Sequence, residues 1–216
     1  MESEKKLKKR VDEIIKILED LYPEGECTLD YDDPLQLLLA TQLAAQCTDA
    51  RVNMVTPALF ARYPDAAAFA EAEIEDLEEM IKSTGFYHNK AKNIKACCRR
   101  ICDVYGGKVP DNMEDLLTLP GTGRKTANLV LGDAFGQPSY VVDTHCIRLT
   151  NRLGLTEHRE PEKIETDLRR ILPPEKSGAF CHRMVIHGRA VCPARKPKCQ
   201  ECALSGLCPK VGVEVK

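Results

Sequence analysis

The chain has 216 residues, 43% hydrophobic and 30% charged, which suits a water-soluble globular protein with one large core or two small ones. Aromatic residues make up 5% and tryptophan is absent, which argues against a β-sandwich or barrel. No charge-free stretch approaches a membrane span and the opening MESEKKLKKR lacks the apolar core of a signal peptide, so a cytoplasmic protein is expected; the net charge of −2 and pI near 6.2 speak, taken alone, against a nucleic-acid partner.

Helical periodicity runs the length of the chain, and an all-α fold is expected. Leu7, Val11, Ile14, Leu18 and Leu21 recur at three- and four-residue spacing, an amphipathic first helix that stops before Pro23. Asp33-Pro34 reads as an N-cap with proline in the first helical position, opening a well-buried helix over Leu35 to Ala45. Thr48 or Asp49 caps the next helix, with Val52, Val55, Leu59 and Phe60, which Pro57 should kink or shorten. Leu77, Met80 and Ile81 mark a helix ending near Gly85. Ile94, Cys98, Ile101 and Tyr105 mark another, closed by Gly106-Gly107. Asp111 and Asn112 are cap candidates for a helix holding Leu116 and Leu117. After a turn at Pro120 to Gly123, a helix runs from about Arg124 to Ala134. Pro138 to Val142 reads as extended, and Asp143-Thr144 caps a helix with Ile147, Leu149 and Leu153. Two more follow, around Ile164 to Ile171 and Phe180 to Arg189.

Charge is unevenly spread. Lys90, Lys92, Lys95, Arg99 and Arg100 fall in a stretch without acids, and so do Arg183, Arg189, Arg195, Lys196 and Lys198. A basic face on an acidic body is one reading; ordinary solvated helix faces are the preferred one on charge alone.

Eleven cysteines is an odd number, and seven are scattered, mostly through helical segments, as small buried hydrophobes are in a reducing compartment. The last four are spaced Cys192-x6-Cys199-x2-Cys202-x5-Cys208, close enough to surround one metal centre. Structural zinc and an iron–sulfur cluster both remain open on spacing, although zinc sites commonly pair two close knuckles and only one pair here is close. Arg195, Lys196 and Lys198 lie between the first two cysteines, where a pinned loop would either present them to phosphate or simply be solubilised by them.

Leu116 to Asn128 reads LLTLPGTGRKTAN. Gly121 and Gly123 permit a tight turn, and the start of the next helix offers free amides to an anion such as a DNA phosphate. Lys125 sits in that helix's first turn, where the positive helix end should lower its pKa and favour an amine able to form a Schiff base. A surface lysine touching phosphate is the plainer account of its position. Asp143 lies eighteen residues on, with helix capping as its ordinary role; His145 reads as structural.

LPGTGRKTAN, then VVDTH, then the cysteine cluster closely resembles the endonuclease III family of the helix-hairpin-helix DNA glycosylases. The resemblance extends to AAQCTD at Ala44–Asp49, GFYHNKAKNI at Gly85–Ile94 and HGRAVCPARKPKC at His187–Cys199, and covers nearly the whole chain. It implies two helical domains with a DNA-binding cleft between them: a six-helix domain over 24–135 containing the hairpin, and an iron–sulfur domain built from 1–23 and 136–216. It implies a bifunctional glycosylase and abasic-site lyase of base excision repair, acting as a monomer on double-stranded DNA with an oxidised pyrimidine or an abasic site, at the nucleoid if the source is prokaryotic. Lys125 matches the nucleophile that attacks C1′, Asp143 the carboxylate that assists it, and β-elimination follows. Gln46 matches the side chain that fills the gap left by the flipped base, and Phe86 stands where the family often has a leucine wedge. The four cysteines match the ligands of a [4Fe–4S] cluster. Leu117 stands where some relatives carry a polar residue.

Competing readings differ at identifiable residues. Adenine-mismatch relatives generally lack the hairpin lysine and carry an early catalytic glutamate, but Leu38 to Gln46 contains no acid; Lys125 likewise disfavours a thymine-mismatch relative. A non-catalytic DNA-binding module or redox sensor on the same scaffold would not need both Lys125 and Asp143.

Overall fold

The computed structural model describes residues 2–214. Its helices in chain order begin with α1 (Glu4–Leu21), α2 (Pro34–Leu43), α3 (Asp49–Arg62), α4 (Ala66–Glu71) and α5 (Ile74–Ile81). They continue with α6 (Tyr87–Tyr105), α7 (Met113–Leu117), α8 (Arg124–Asp133), α9 (Thr144–Arg152), α10 (Pro161–Ile171) and α11 (Ser177–Ala190). Two 3-10 turns, Lys82–Thr84 and Pro174–Lys176, complete the regular structure, and the described residues contain no strand. None of these helices is long and apolar enough to cross a membrane.

The chain forms two compact units, one of Cys27–Gly136 and one of Met1–Glu26 with Gln137–Lys216. The first holds α2 to α8, seven helical segments of which α4 and α7 have six and five residues. At its centre is α2, fully buried at Leu37, Leu38, Leu39, Ala40 and Leu43. A helix apolar all round belongs in the middle of a core, and α2 packs against α3, α6 and α8. Asp33 accepts from the Gln36 amide ahead of Pro34, the expected cap, but α2 ends at Leu43, two residues before the expected limit. Thr48 caps α3, which runs unshortened through Pro57.

Helix α4, not expected from the sequence, packs on α6 with Asp65 as its cap. Here the first basic run has its use. Lys95 Nζ donates to Ala72 O at 2.6 Å and Arg99 Nη2 to Ala70 O at 3.0 Å, placing two cations at the negative end of α4. Lys90 is buried.

In the second unit, α1 buries Val11, Ile14, Ile15 and Leu18 and packs against α10 and α11, while α9 packs on α11. Arg183 of α11 closes the end of α1, donating from Nε to Tyr22 O at 2.9 Å and from Nη2 to Pro23 O at 3.2 Å. Its guanidinium lies where a side chain at Gly25 would project, since a Cβ there would come within 2.7 Å. Residues 138–142 run without helix, with Tyr140, Val141 and Val142 buried, and deliver the chain to α9.

Candidate active site

The turn between α7 and α8 is fixed from below. Gly121 has φ +76°, and a Cβ there would lie 2.8 Å from Gln42 Oε1 and 3.0 Å from Asn93 Cβ, so both the backbone and the packing require glycine. Gln42, buried in α2, holds the turn by donating from Nε2 to Pro120 O at 3.1 Å and to Thr122 Oγ1 at 3.2 Å. Gly123 is the N-cap of α8 and brings no capping side chain. The helix therefore presents its positive end at the turn. Lys125 stands in the first turn of α8 with its side chain exposed.

Gln46 and Phe86 lie in the same unit, each exposed and each in left-handed backbone, with φ of 56° and 51°. Gln46 follows the end of α2; Phe86 is the N-cap of α6 and is 64% exposed.

Asp143 belongs to the other unit. It caps α9, its Oδ1 accepting from the Cys146 amide at 2.8 Å, and its side chain is half-buried. His145 is held locally, with Nδ1 3.1 Å from Arg148 Nη2, which also donates to Gly188 O at 3.1 Å. Gly188 admits this contact because a Cβ would come within 2.6 Å of His145 Nδ1.

After α11 the chain carries Cys192, Cys199, Cys202 and Cys208 around one small apolar cavity, with Arg152 and Val191 in its wall. Among the described residues, no group of three or more histidine, cysteine, aspartate or glutamate side chains stands ready to hold a metal ion. Arg152 Nη1 lies 3.1 Å from Cys192 Sγ and 2.8 Å from Pro193 O, while its Nη2 donates to Ala194 O at 2.9 Å. Cys208 Sγ is 3.3 Å from Arg152 O. His187 is buried, with Nε2 3.4 Å from Cys202 Sγ and Nδ1 3.0 Å from the Tyr22 hydroxyl. Burial pushes the Cys202 and Cys208 thiols up, and the neighbouring thiols add to it in each case. Thiolates crowded in this way are stable only with positive charge between them.

Arg195, Lys196 and Lys198 are exposed on the loop between the first two cysteines, and Lys196 has φ 51°. Lys198 is partly engaged, its Nζ donating to Ala190 O at 3.2 Å at the end of α11.

The structure thus gathers Gly121, Gly123 and Lys125 in one turn, and the four cysteines with the loop cations in one segment. Gln42, Arg152 and His187 have partners at Pro120, Cys192 and Tyr22, which lie 78, 40 and 165 residues away, so local sequence does not disclose them. His187 has one legible signal: it is a polar residue on the buried stripe of α11, just ahead of the cysteines.

Comparison with known proteins gives a consistent result. Residues 39–174 match the profile of the HhH-GPD superfamily base excision DNA repair proteins. The chain is 56% identical over 203 residues to a protein named Endonuclease III from Synechocystis sp., covering 94% of this chain and 93% of that one. Two solved structures superpose with a TM-score of 0.89 at 39% identity, covering 97% of both chains: a non-covalent endonuclease III–DNA complex, and a trapped endonuclease III–DNA covalent intermediate with an estranged adenine.

Proposed function

The chain belongs to the endonuclease III family of the HhH-GPD superfamily, and from that premise we propose how its residues carry the reaction. It is a DNA glycosylase with abasic-site lyase activity in base excision repair. Its substrate is double-stranded DNA holding an oxidised pyrimidine such as thymine glycol, or an abasic site. It acts as a monomer in the cytoplasm, at the nucleoid if the source is prokaryotic.

Lys125 is the nucleophile. Its exposed position in the first turn of α8, directly after the glycine turn, is the observation that carries this reading. The amine attacks C1′ of the damaged nucleotide, and the bond from C1′ to the base breaks as the base leaves with its electron pair and takes up a proton. Asp143 supports the positive charge that develops on the sugar. Opening of the sugar gives the Schiff base between Lys125 and C1′. Loss of a proton from C2′ then expels the 3′ phosphate by β-elimination, and water releases the lysine. Gly121 and Gly123 let the turn approach a backbone phosphate, and the end of α8 favours that negative charge. Gln46 fills the gap left by the extruded base and Phe86 wedges beside it; extrusion costs a few kcal/mol, less for a damaged base.

Cys192, Cys199, Cys202 and Cys208 hold a [4Fe–4S] cluster. A cluster occupies a volume, and four thiols ringing a cavity suit it. Bound there, the cluster would fix the loop that carries Arg195, Lys196 and Lys198. With Cys202 as a thiolate, which only accepts, His187 donates from Nε2 and accepts the Tyr22 hydroxyl at Nδ1. Arg195, Lys196 and Lys198 then meet phosphate.

Borohydride trapping on a duplex with one thymine glycol tests the assignment. A covalent complex is expected with the wild type and none with Lys125→Ala. A folded, cluster-loaded wild type that neither traps nor cleaves this lesion or an abasic site would favour a binding module instead.

A further inference from the structure

We propose that Lys90 is a positioning residue for base extrusion, tying the turn that carries Gln46 to the turn that carries Phe86 so that both enter the duplex at a set separation. The proposal rests on the reading of Gln46 and Phe86 as the inserting side chains.

Lys90 lies in the first turn of α6 and is 6% exposed. Its Nζ donates to Leu43 O at 2.7 Å and to Thr84 O at 2.8 Å. Leu43 is the last residue of α2, and Thr84 the last of the 3-10 turn Lys82–Thr84. Both carbonyls sit at helical C-termini, where acceptors lack amide partners and carry partial negative charge. Gln46 follows Leu43 by three residues, and Phe86 follows Thr84 by two. The Lys90 amide also donates to Phe86 O at 3.1 Å, so one residue holds this turn at both Thr84 and Phe86.

Neither turn holds its shape for free. Gln46 and Phe86 are both in left-handed backbone, which residues other than glycine adopt reluctantly. Phe86 caps α6 without a capping side chain. A buried ammonium facing two carbonyls is itself costly, and packing alone would be met by methionine or leucine. What the ammonium adds is a two-pronged link between segments that lie about forty residues apart in sequence. Extrusion needs Gln46 and Phe86 to act together on one base pair, which this link serves.

The test uses the full, cluster-loaded chain as Lys90→Met and Lys90→Arg. Extrusion is read from the fluorescence of 2-aminopurine opposite a thymine glycol, and base release from single-turnover kinetics on that duplex. Borohydride trapping on a single-stranded abasic site, which needs no extrusion, is the reference. Lys90→Met should lose most of the fluorescence rise and slow base release about ten- to a hundredfold, as a misplacement of an ångström does. Its single-strand trapping should stay near wild type, and Lys90→Arg should recover much of the loss. Equal losses on both substrates, or none on either, would overturn the proposal. Should Lys90→Met not fold, Lys90→Gln is read in the same way. Gln46→Ala and Phe86→Ala are run beside it: normal extrusion by both removes the parent reading, whereas defects in them with an unaffected Lys90→Met remove only the role of Lys90.

Discussion

Lys90 of α6 carries its ammonium among backbone carbonyls rather than in water. In the sequence it begins a run of five cations, and a lysine among lysines reads as solvated. In the fold it is buried, and its acceptors are carbonyls at Leu43 and Thr84, the first 47 residues away. Local periodicity carries no trace of such a partner. Burial holds its pKa below the ordinary 10.5, and this has a measurable sign. As pH rises toward that value, the folded protein gives up the proton before the unfolded chain does. The unfolded state then binds more protons, so the Lys90 contribution to stability improves with rising pH and worsens again as pH falls. Lys90→Met lacks this dependence. Urea unfolding at neutral and alkaline pH should show the wild type gaining on Lys90→Met in alkali; a constant gap would mean that burial does not strain the ammonium.

At the scale of the element, substitution can separate the capping role of Asp143 from the catalytic one proposed for it. As the N-cap of α9 it accepts from the Cys146 amide, which asparagine does equally well. In the proposed mechanism its carboxylate meets charge on the sugar, which asparagine does not. Asp143→Asn should therefore unfold at nearly the wild-type denaturant concentration, whereas Asp143→Ala should lose about 1 kcal/mol. Both should lose base release in single-turnover assays. An active Asp143→Asn would reduce Asp143 to a cap. Caps were also what the sequence disclosed best: Asp33, Thr48, Asn112 and Asp143 all accept at the amide their position foretold. A cap is a contact within three residues, so local sequence contains it. The failures have the opposite character. Helix α4 is a short alanine-rich segment without a periodic stripe, and it is supported by Lys95 and Arg99 from a later helix. Pro57 lacks one amide, yet α3 passes through it because the rest of the helix is held by packing at Val52, Thr56 and Leu59.

For the whole molecule, affinity for DNA at a net charge of −2 must come from a few placed cations rather than from an overall field. The loop cations differ in how they are held. Lys196 is exposed, while Lys198 spends a hydrogen bond on Ala190 O. Lys196→Ala should lower the slope of log affinity against log salt by about 1, roughly the release of one counterion, with a smaller change for Lys198→Ala. Titrations on an abasic-site duplex at several salt concentrations decide this, and an unchanged slope for Lys196→Ala would argue against phosphate contact. The discontinuous unit has a consequence for synthesis. Helix α1 emerges at the ribosome before the helices that cover it, and α10 begins about 140 residues later. At translation rates of ~5–20 residues per second, Val11, Ile14, Ile15 and Leu18 wait on the order of ten seconds for their neighbours. The intervening Cys27–Gly136 unit contains all its own helices and can close in that interval. A nascent chain of this protein thus carries the apolar stripe of α1 unshielded until the last helices arrive.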